Sequence, residues 1–420
     1  VSEALSNKAS KKRILWINHF VPYPPKGGLL VRTNGLLEGV AKEHHVSLHC
    51  LVQPRILAPY FDGLEQGLSK AKEHLSSLVD ELQWFSLPSE SHRLNRVALA
   101  FASVFTRAPY SVNWLYSRQF KQHIHKLLAE QHFDLIHIDT MGLAQYLPDN
   151  LPCPVIVNHH NAEHAMMWRR ADKQSNPLKA WYFKMEGDKI ARYDAKQMQR
   201  LPLQICCSEG DAQELRQLGA QQVELVPNGV KYLQVAERNI ESGHLVFVGG
   251  LDWYPNHDAV VYLLTELWPA LSKAFPQLHL DIIGKDPSEQ ILALAGGFSN
   301  VTVHGFVDDL NYYYQRAMAC ICPLRDGGGT KLKVLEAMSH GLVVLGSDIA
   351  FEGIAVADRQ NGMVANSLDE YRSAIEQLLA EPGTAQQIGG AANQLVAERY
   401  DAKQIARDYS RMIRQVVEAG

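Results

Sequence analysis

The residues best suited to chemistry lie between Pro323 and Asp348, in the stretch PLRDGGGTKLKVLEAMSHGLVVLGSD. An apolar run, ACICPL, ends in Asp326 and the glycines Gly327, Gly328 and Gly329, and opens into a helical pattern expected to begin at Thr330, Lys331 and Leu332. Glycine lets backbone approach a ligand closely, and a helix N-terminus presents unpaired amides with partial positive charge, so this arrangement suits a phosphate group. Lys331 adds a full charge. Glu336 follows Leu332 by one helical turn and shares its side of the helix, where a carboxylate can accept both hydroxyls of a ribose. A plain glycine turn before an amphipathic helix would explain the glycines alone. It does not explain their coincidence with a preceding buried strand, a lysine and a carboxylate one turn on.

Two weaker constellations lie in the N-terminal half. The loop after the first apolar run holds Pro24, Pro25, Lys26, Gly27 and Gly28, followed by Arg32, and admits an anionic group in the same way. Its spacing is not G-x-G-x-x-G, which argues against a dinucleotide-dependent dehydrogenase. Asp139 follows DLIHI, and His160 and Glu163 fall in NHHNAEH, at the carboxyl ends of expected strands where open parallel sheets bind ligands. A histidine with a carboxylate can orient an acceptor hydroxyl or take its proton. A histidine at a strand end is also commonly structural.

The elements that must carry these residues are visible as short apolar runs between helical stretches: RILWIN, VSLHCLV, LQWFSL, DLIHID, PVIVNHH, LQICCS, VELVPN, HLVFVGG, LHLDIIG, VTVHGF, ACICPL, LVVLGS and GMVA. Continuous apolar strands alternating with helices predict parallel sheets covered on both faces. At 420 residues the series is too long for one sheet. The polar break after Pro227, Asn228 and Gly229 predicts an N-terminal domain over 1–231 and a C-terminal domain over 232–400. In residues 401–420 the spacing of Ile405, Tyr409, Met412, Ile413 and Val416 predicts a helix that packs back across the domain pair.

Composition sets the remaining bounds. A net charge of −4 gives no global attraction to nucleic acid. From Ser91 to Ala129, however, there is no Asp or Glu, while Arg93, Arg96, Arg107, Arg118, Lys121 and Lys126 stand among aromatic residues, which suits an anionic membrane surface. The cysteines Cys50, Cys153, Cys206, Cys207, Cys320 and Cys322 sit in apolar runs without metal-ligand spacing and read as reduced thiols. No apolar run reaches the roughly 18 to 20 residues that span a bilayer, and the first residues lack the apolar core of a signal peptide. The expectation is a cytoplasmic protein, peripheral at the inner face of the membrane.

The Pro323–Asp348 stretch resembles the donor-site signature of the retaining GT-B glycosyltransferases of family four, in particular a bacterial surface-polysaccharide subgroup with the pattern GGGTR-L-K-x-L-E-A-M. PYPPKGG with Arg32, the VPNGV turn, FVGGLDWYPNHDAV, GFVDDL and FEG after Asp348 agree with it. The resemblance implies two Rossmann-like domains whose parallel sheets face a central cleft. It also implies a nucleotide-diphosphate-sugar donor held by the C-terminal domain, a glycan or lipid-linked acceptor, no cofactor and no metal. Asp252 and Asn256 would shape the donor pocket, with Lys285 and the segment from His304 to Asp308 near the base, and the glycine loop at Gly27 would lie at the cleft. Transfer would proceed by front-face displacement, with the departing diphosphate able to take the acceptor's proton. One departure stands out: the wider family has a glutamate at the position of Gly328, where it touches the donor sugar. Asp326 or backbone amides would then have to serve. A sugar-nucleotide epimerase of the same fold and a non-catalytic glycan-binding relative are the alternative readings.

Overall fold

The computed structural model describes residues 11–419 apart from 92, 236 and 237. Each of the thirteen apolar runs forms a strand: β1 (Arg13–Asn18), β2 (His45–Val52), β3 (Glu81–Ser86), β4 (Leu135–Ile138), β5 (Val155–Asn158), β6 (Leu203–Cys206), β7 (Gln222–Leu225), β8 (His244–Val248), β9 (His279–Ile283), β10 (Val301–Gly305), β11 (Ala319–Cys322), β12 (Val343–Gly346) and β13 (Met363–Val364). They build two sheets, ordered β3-β2-β1-β4-β5-β6-β7 and β10-β9-β8-β11-β12-β13, and the pairings within them are parallel. Burial explains the composition. The inner strands β4, β5, β6, β11 and β12 are buried along their whole length, whereas the edge strands β3, β7 and β10 are partly exposed.

In each sheet the chain runs outward to one edge and then returns to continue on the other side. The reversal falls between β1 and β4 in the first sheet and between β8 and β11 in the second. At such a switch point adjacent loops leave in opposite directions and open a crevice at the strands' carboxyl ends.

The chain divides into two compact units, residues 1–226 with 403–420, and residues 227–402. The terminal helix Ala402–Ala419 places Ile405, Tyr409 and Ile413, spaced by one turn, in the core of the N-terminal unit. Burying three such side chains is worth roughly 1.5–3 kcal/mol each. There Tyr409 Oη lies 2.5 Å from His137 Nδ1, and Trp16 stacks on His137 with ring centroids 3.7 Å apart. Helix Gly28–Glu43 meets the terminal helix at Gly39, where an added Cβ would lie 2.4 Å from Ala406 Cβ, so only glycine fits.

In the C-terminal unit, helix Pro382–Arg399 braces the end of helix Leu332–Ser339: Asn393 Nδ2 donates to the Ser339 carbonyl at 2.7 Å and to that of Leu233 at 3.0 Å. A Cβ on Gly389 would sit 2.0 Å from the Gly341 carbonyl oxygen, so this packing also depends on a missing side chain.

The basic segment after Ser91 folds into helices Arg93–Val104, Tyr110–Trp114 and Arg118–Glu130. Its charges are less bare than the sequence suggests, because acids just outside the segment fold back on it: Arg96 lies 3.4 Å from Glu90, and Lys126 lies 3.8 Å from Glu130. Val97, Phe101 and Phe105, at four-residue spacing, are exposed. Among the described residues no helix is long and apolar enough to cross a membrane.

Candidate active site

In the N-terminal unit the switch point gathers residues from β1, β4 and β5. Asp139, directly after β4, is fully buried. Its Oδ2 accepts from the Thr33 hydroxyl at 2.9 Å, its Oδ1 accepts from Asn158 Nδ2, and His160 Nε2 lies 3.0 Å from Oδ1. Burial works against ionisation of Asp139, but the charge and hydrogen bonding of His160, with His19 and His137 nearby, outweigh it and hold the carboxyl far below its usual range. Every polar direction of Asp139 is thus taken inside the fold. It can orient His160, as the carboxylate of a His–Asp pair does, and it is too enclosed to meet a substrate itself.

His160 is 13% exposed at its side chain and lines a pocket with Thr140, Asn161 and Glu163. Glu163 opens helix Glu163–Asp172 and accepts from the Thr140 hydroxyl at 3.4 Å; burial raises its carboxyl above the ordinary range. His19, directly after β1, was not singled out from the sequence. Its ring centroid lies 6.1 Å from that of His160, and burial lowers its pKa to about 4 against the pull of Asp139. Its signal was available: it follows the first strand immediately, as Asp139 follows the fourth.

Gly27 caps helix Gly28–Glu43 with φ +83°, a left-handed conformation that favours glycine, and Gly28 is the first helical residue. Arg32, only 4% exposed, turns inward, donating from Nη1 to the Val226 carbonyl at 2.6 Å and from Nη2 to Asn158 Oδ1 at 3.0 Å. Its charge braces the network under Asp139.

In the C-terminal unit the loop from Pro323 to Lys331 leaves β11 beside the loop that leaves β8, at the second switch point. Gly327 and Gly329 have φ of +123° and +67°. Asp326 Oδ1 accepts from the Gly327 amide at 2.7 Å, and the Thr330 carbonyl accepts from Asn228 Nδ2 at 3.4 Å. The helix starts at Leu332, so Thr330 and Lys331 precede it instead of forming its first turn, and Lys331 is the N-cap. Lys331 Nζ donates to the Gly329 carbonyl at 2.6 Å and to that of Gly327 at 3.4 Å, and pairs with Glu352 Oε2 at 2.9 Å. Glu336 has no hydrogen-bond or ion-pair partner for its carboxylate among the described residues, and burial raises it above the usual carboxyl range.

Asn256 and Asp252 differ in what they do. Asn256 is spanned on both ends, donating to the Gly250 carbonyl at 2.9 Å and accepting from Lys333 Nζ at 2.6 Å. Lys333 also lies 4.6 Å over the Phe247 ring. It ties the β8 loop to the helix that carries Glu336, a contact that the motif L-K-x-L-E alone does not announce. Asp252 is half exposed and pairs with Lys285 at 3.4 Å. Gly284 and Gly249 touch so closely that a Cβ on Gly284 would be 1.9 Å from the Gly249 carbonyl oxygen, which draws the ends of β8 and β9 together.

Comparison with known proteins agrees with this geometry. Residues 61–232 match the family model described as Glycosyltransferase Family 4, and residues 242–381 match that described as Glycosyl transferases group 1. A Klebsiella pneumoniae protein known as the uncharacterized 44.6 kDa protein in cps region is 23% identical over 174 residues, 40% of this chain and 45% of that protein. The chain spans about half the length of the curated relatives it matches. Among solved structures, a sucrose-phosphate synthase from Thermosynechococcus elongatus superposes with a TM-score of 0.69 at 17% identity, covering 98% of this chain and 100% of the other. Anabaena HepE in complex with UDP-glucose gives 0.62 at 14% identity, covering 96% and 100%. By its two parallel-sheet units and the family models that match both of them, the chain belongs to the GT-B glycosyltransferases.

Proposed function

We propose that this chain transfers a sugar, with retention, from a nucleoside-diphosphate donor held by the C-terminal unit to a glycan or lipid-linked acceptor met by the N-terminal unit, in bacterial surface-polysaccharide synthesis. The observation that carries the reading is the glycine loop at the second switch point, with Lys331 anchored in it and the unpartnered carboxylate of Glu336 one turn into the helix. Loop amides and Lys331 suit a diphosphate, and Glu336 suits the ribose. HepE carries UDP-glucose in its solved complex, and the Klebsiella relative comes from a cps region; both support the donor class and the surface-glycan role.

In this scheme the negative charge that develops on the leaving diphosphate is met by Lys331 and the amides around Gly328, and no residue needs to act as a dedicated base. His160, oriented by Asp139, holds the acceptor in line. Asp252 and Lys285 flank the nucleotide, with the exposed Phe306 in the GFVDDL segment offering a face to the base. A divalent metal is not required, and turnover that survives a chelator checks this. The deciding experiment is a thermal-shift panel of UDP, GDP, ADP and their sugars, since a ligand that binds only the folded state raises the transition. A rise with one nucleotide family supports the reading, and no rise with any of them removes it.

A further inference from the structure

The pocket beside His160 contains a carboxylate that the scheme above does not use. Asp194, in helix Pro177–Met198, lines this pocket together with Ser111, Thr140, Asn161 and Glu163. It is only 6% exposed, and among the described residues its carboxylate has no hydrogen-bond or ion-pair partner. No cation is turned toward it from its own helix: Lys189 Nζ is held by the carbonyl of Ser103 at 2.5 Å and by Glu186 Oε1 at 3.3 Å. A buried carboxylate in that state keeps a proton or waits for a ligand that brings donors. Burial, and then the charge of Glu163, push the Asp194 carboxyl well above its usual range, while burial raises Glu163. Two such neighbours hold one proton between them more readily than none.

We propose that Asp194 and Glu163 form a subsite for a neutral sugar hydroxyl of the acceptor, and that Asp194 determines its specificity. This rests on the glycosyltransferase reading of the N-terminal unit. A hydroxyl both donates and accepts, so it satisfies an ionised oxygen and a protonated one together. A sugar carrying its own carboxylate at that position meets like charge in a buried site and is rejected. Thr140 and Ser111 offer further hydroxyl contacts on the pocket wall.

The test uses the whole chain with UDP present and, as probes, methyl glucoside, galactoside and mannoside, each beside its uronate, followed by saturation-transfer NMR. Wild type is expected to bind at least one neutral hexoside and to discriminate against its uronate by about tenfold or more. Asp194→Asn combined with Glu163→Gln keeps the shape and removes the charge that the pair shares, so the discrimination should narrow to about threefold or less, while Asp194→Leu should lose the hexoside signal. Unchanged discrimination in the double variant overturns the proposal, as does wild type that binds none of the hexosides. Calorimetry with UDP-glucose on the same samples separates the two readings. Donor binding that persists while the pocket fails removes the subsite alone, and wild type that binds neither removes the functional reading with it. If Asp194→Leu does not fold, the double variant, checked by its circular dichroism, decides.

Discussion

Lys331 Nζ sits between the Gly329 carbonyl and Glu352 Oε2, 2.6 and 2.9 Å away, so the cation of the glycine loop is held from both sides before any donor arrives. A cation fixed in advance stabilises a departing diphosphate without having to reorganise.

Lys331 and Glu336 should therefore fail differently when changed. Lys331 gains strength as charge develops on the leaving group, so Lys331→Ala should lower kcat by about 100-fold with a smaller loss of donor affinity. Glu336 should hold the ribose equally before and during reaction, so Glu336→Gln should mainly weaken donor binding, by roughly 1–3 kcal/mol. Steady-state kinetics with donor calorimetry on the folded variants checks both. Wild-type affinity and turnover in the two variants together would make the loop purely structural.

Glu352 takes part in a second comparison. Glu352→Gln removes the charged partner of Lys331 and should raise the donor KM by about three- to tenfold. Gly328→Glu adds a carboxylate where the wider family has one, but here it would enter a loop that already has Glu352 against Lys331, and it should not raise activity. A gain of activity in Gly328→Glu would show that the site lacks an acid that Glu352 does not supply.

The N-terminal unit should be acid-sensitive. His159, 5% exposed and 2.7 Å from Gln204 Oε1, is lowered by burial to about 4, and His137 is lowered by burial to about 3. In the unfolded chain both take up a proton near 6.5. Between these values the unfolded state binds more protons, so stability falls as pH drops from 6.5 toward 4, at a cost on the order of 3 kcal/mol from His159 alone. Amide hydrogen exchange across this range should show residues 11–226 opening first, and His159→Gln should move the transition to lower pH.

The exposed stripe Val97, Phe101 and Phe105, next to Arg107 and Arg118, should bind anionic vesicles in preference to neutral ones. Phe101→Ser with Phe105→Ser should weaken co-sedimentation with both kinds, and added salt should weaken only the anionic case. Equal binding to neutral and anionic vesicles at low salt would remove the charge contribution. Because Arg96 and Lys126 have acidic partners, the effect should be smaller than six free charges would give.

How far the sequence spoke can be read from single residues. All thirteen strands were legible: inner strands buried on both faces are largely apolar, and the partly exposed edge strands β3, β7 and β10 still stand out as short runs alternating with helices, a pattern that is local. The placement of the glycine loop before a helix, with Glu336 one turn into it, was legible because spacing within a few residues fixes it. The contacts of Arg32 were not legible because its partners, Asn158 and the Val226 carbonyl, lie 126 and 194 residues away, and nothing near Arg32 announces them. The contacts of Glu352, Lys333 and Asp194 were not legible for a like reason. Each gains its meaning from a residue on another element, and in sequence each looks like an ordinary charge on a helix or loop. The helix was expected to begin at Thr330 and begins two residues later, at Leu332, after left-handed Gly329.

The terminal helix changes the order in which this protein can be completed. The N-terminal unit is assembled from two pieces of chain separated by the whole C-terminal unit, which is in effect an insertion. During synthesis the first seven strands leave the ribosome early, yet the face around Trp16 and His137 stays uncovered until Tyr409 and its neighbours emerge. The nascent chain must carry an apolar patch through the making of about 170 further residues, an interval in which a chaperone has something to hold.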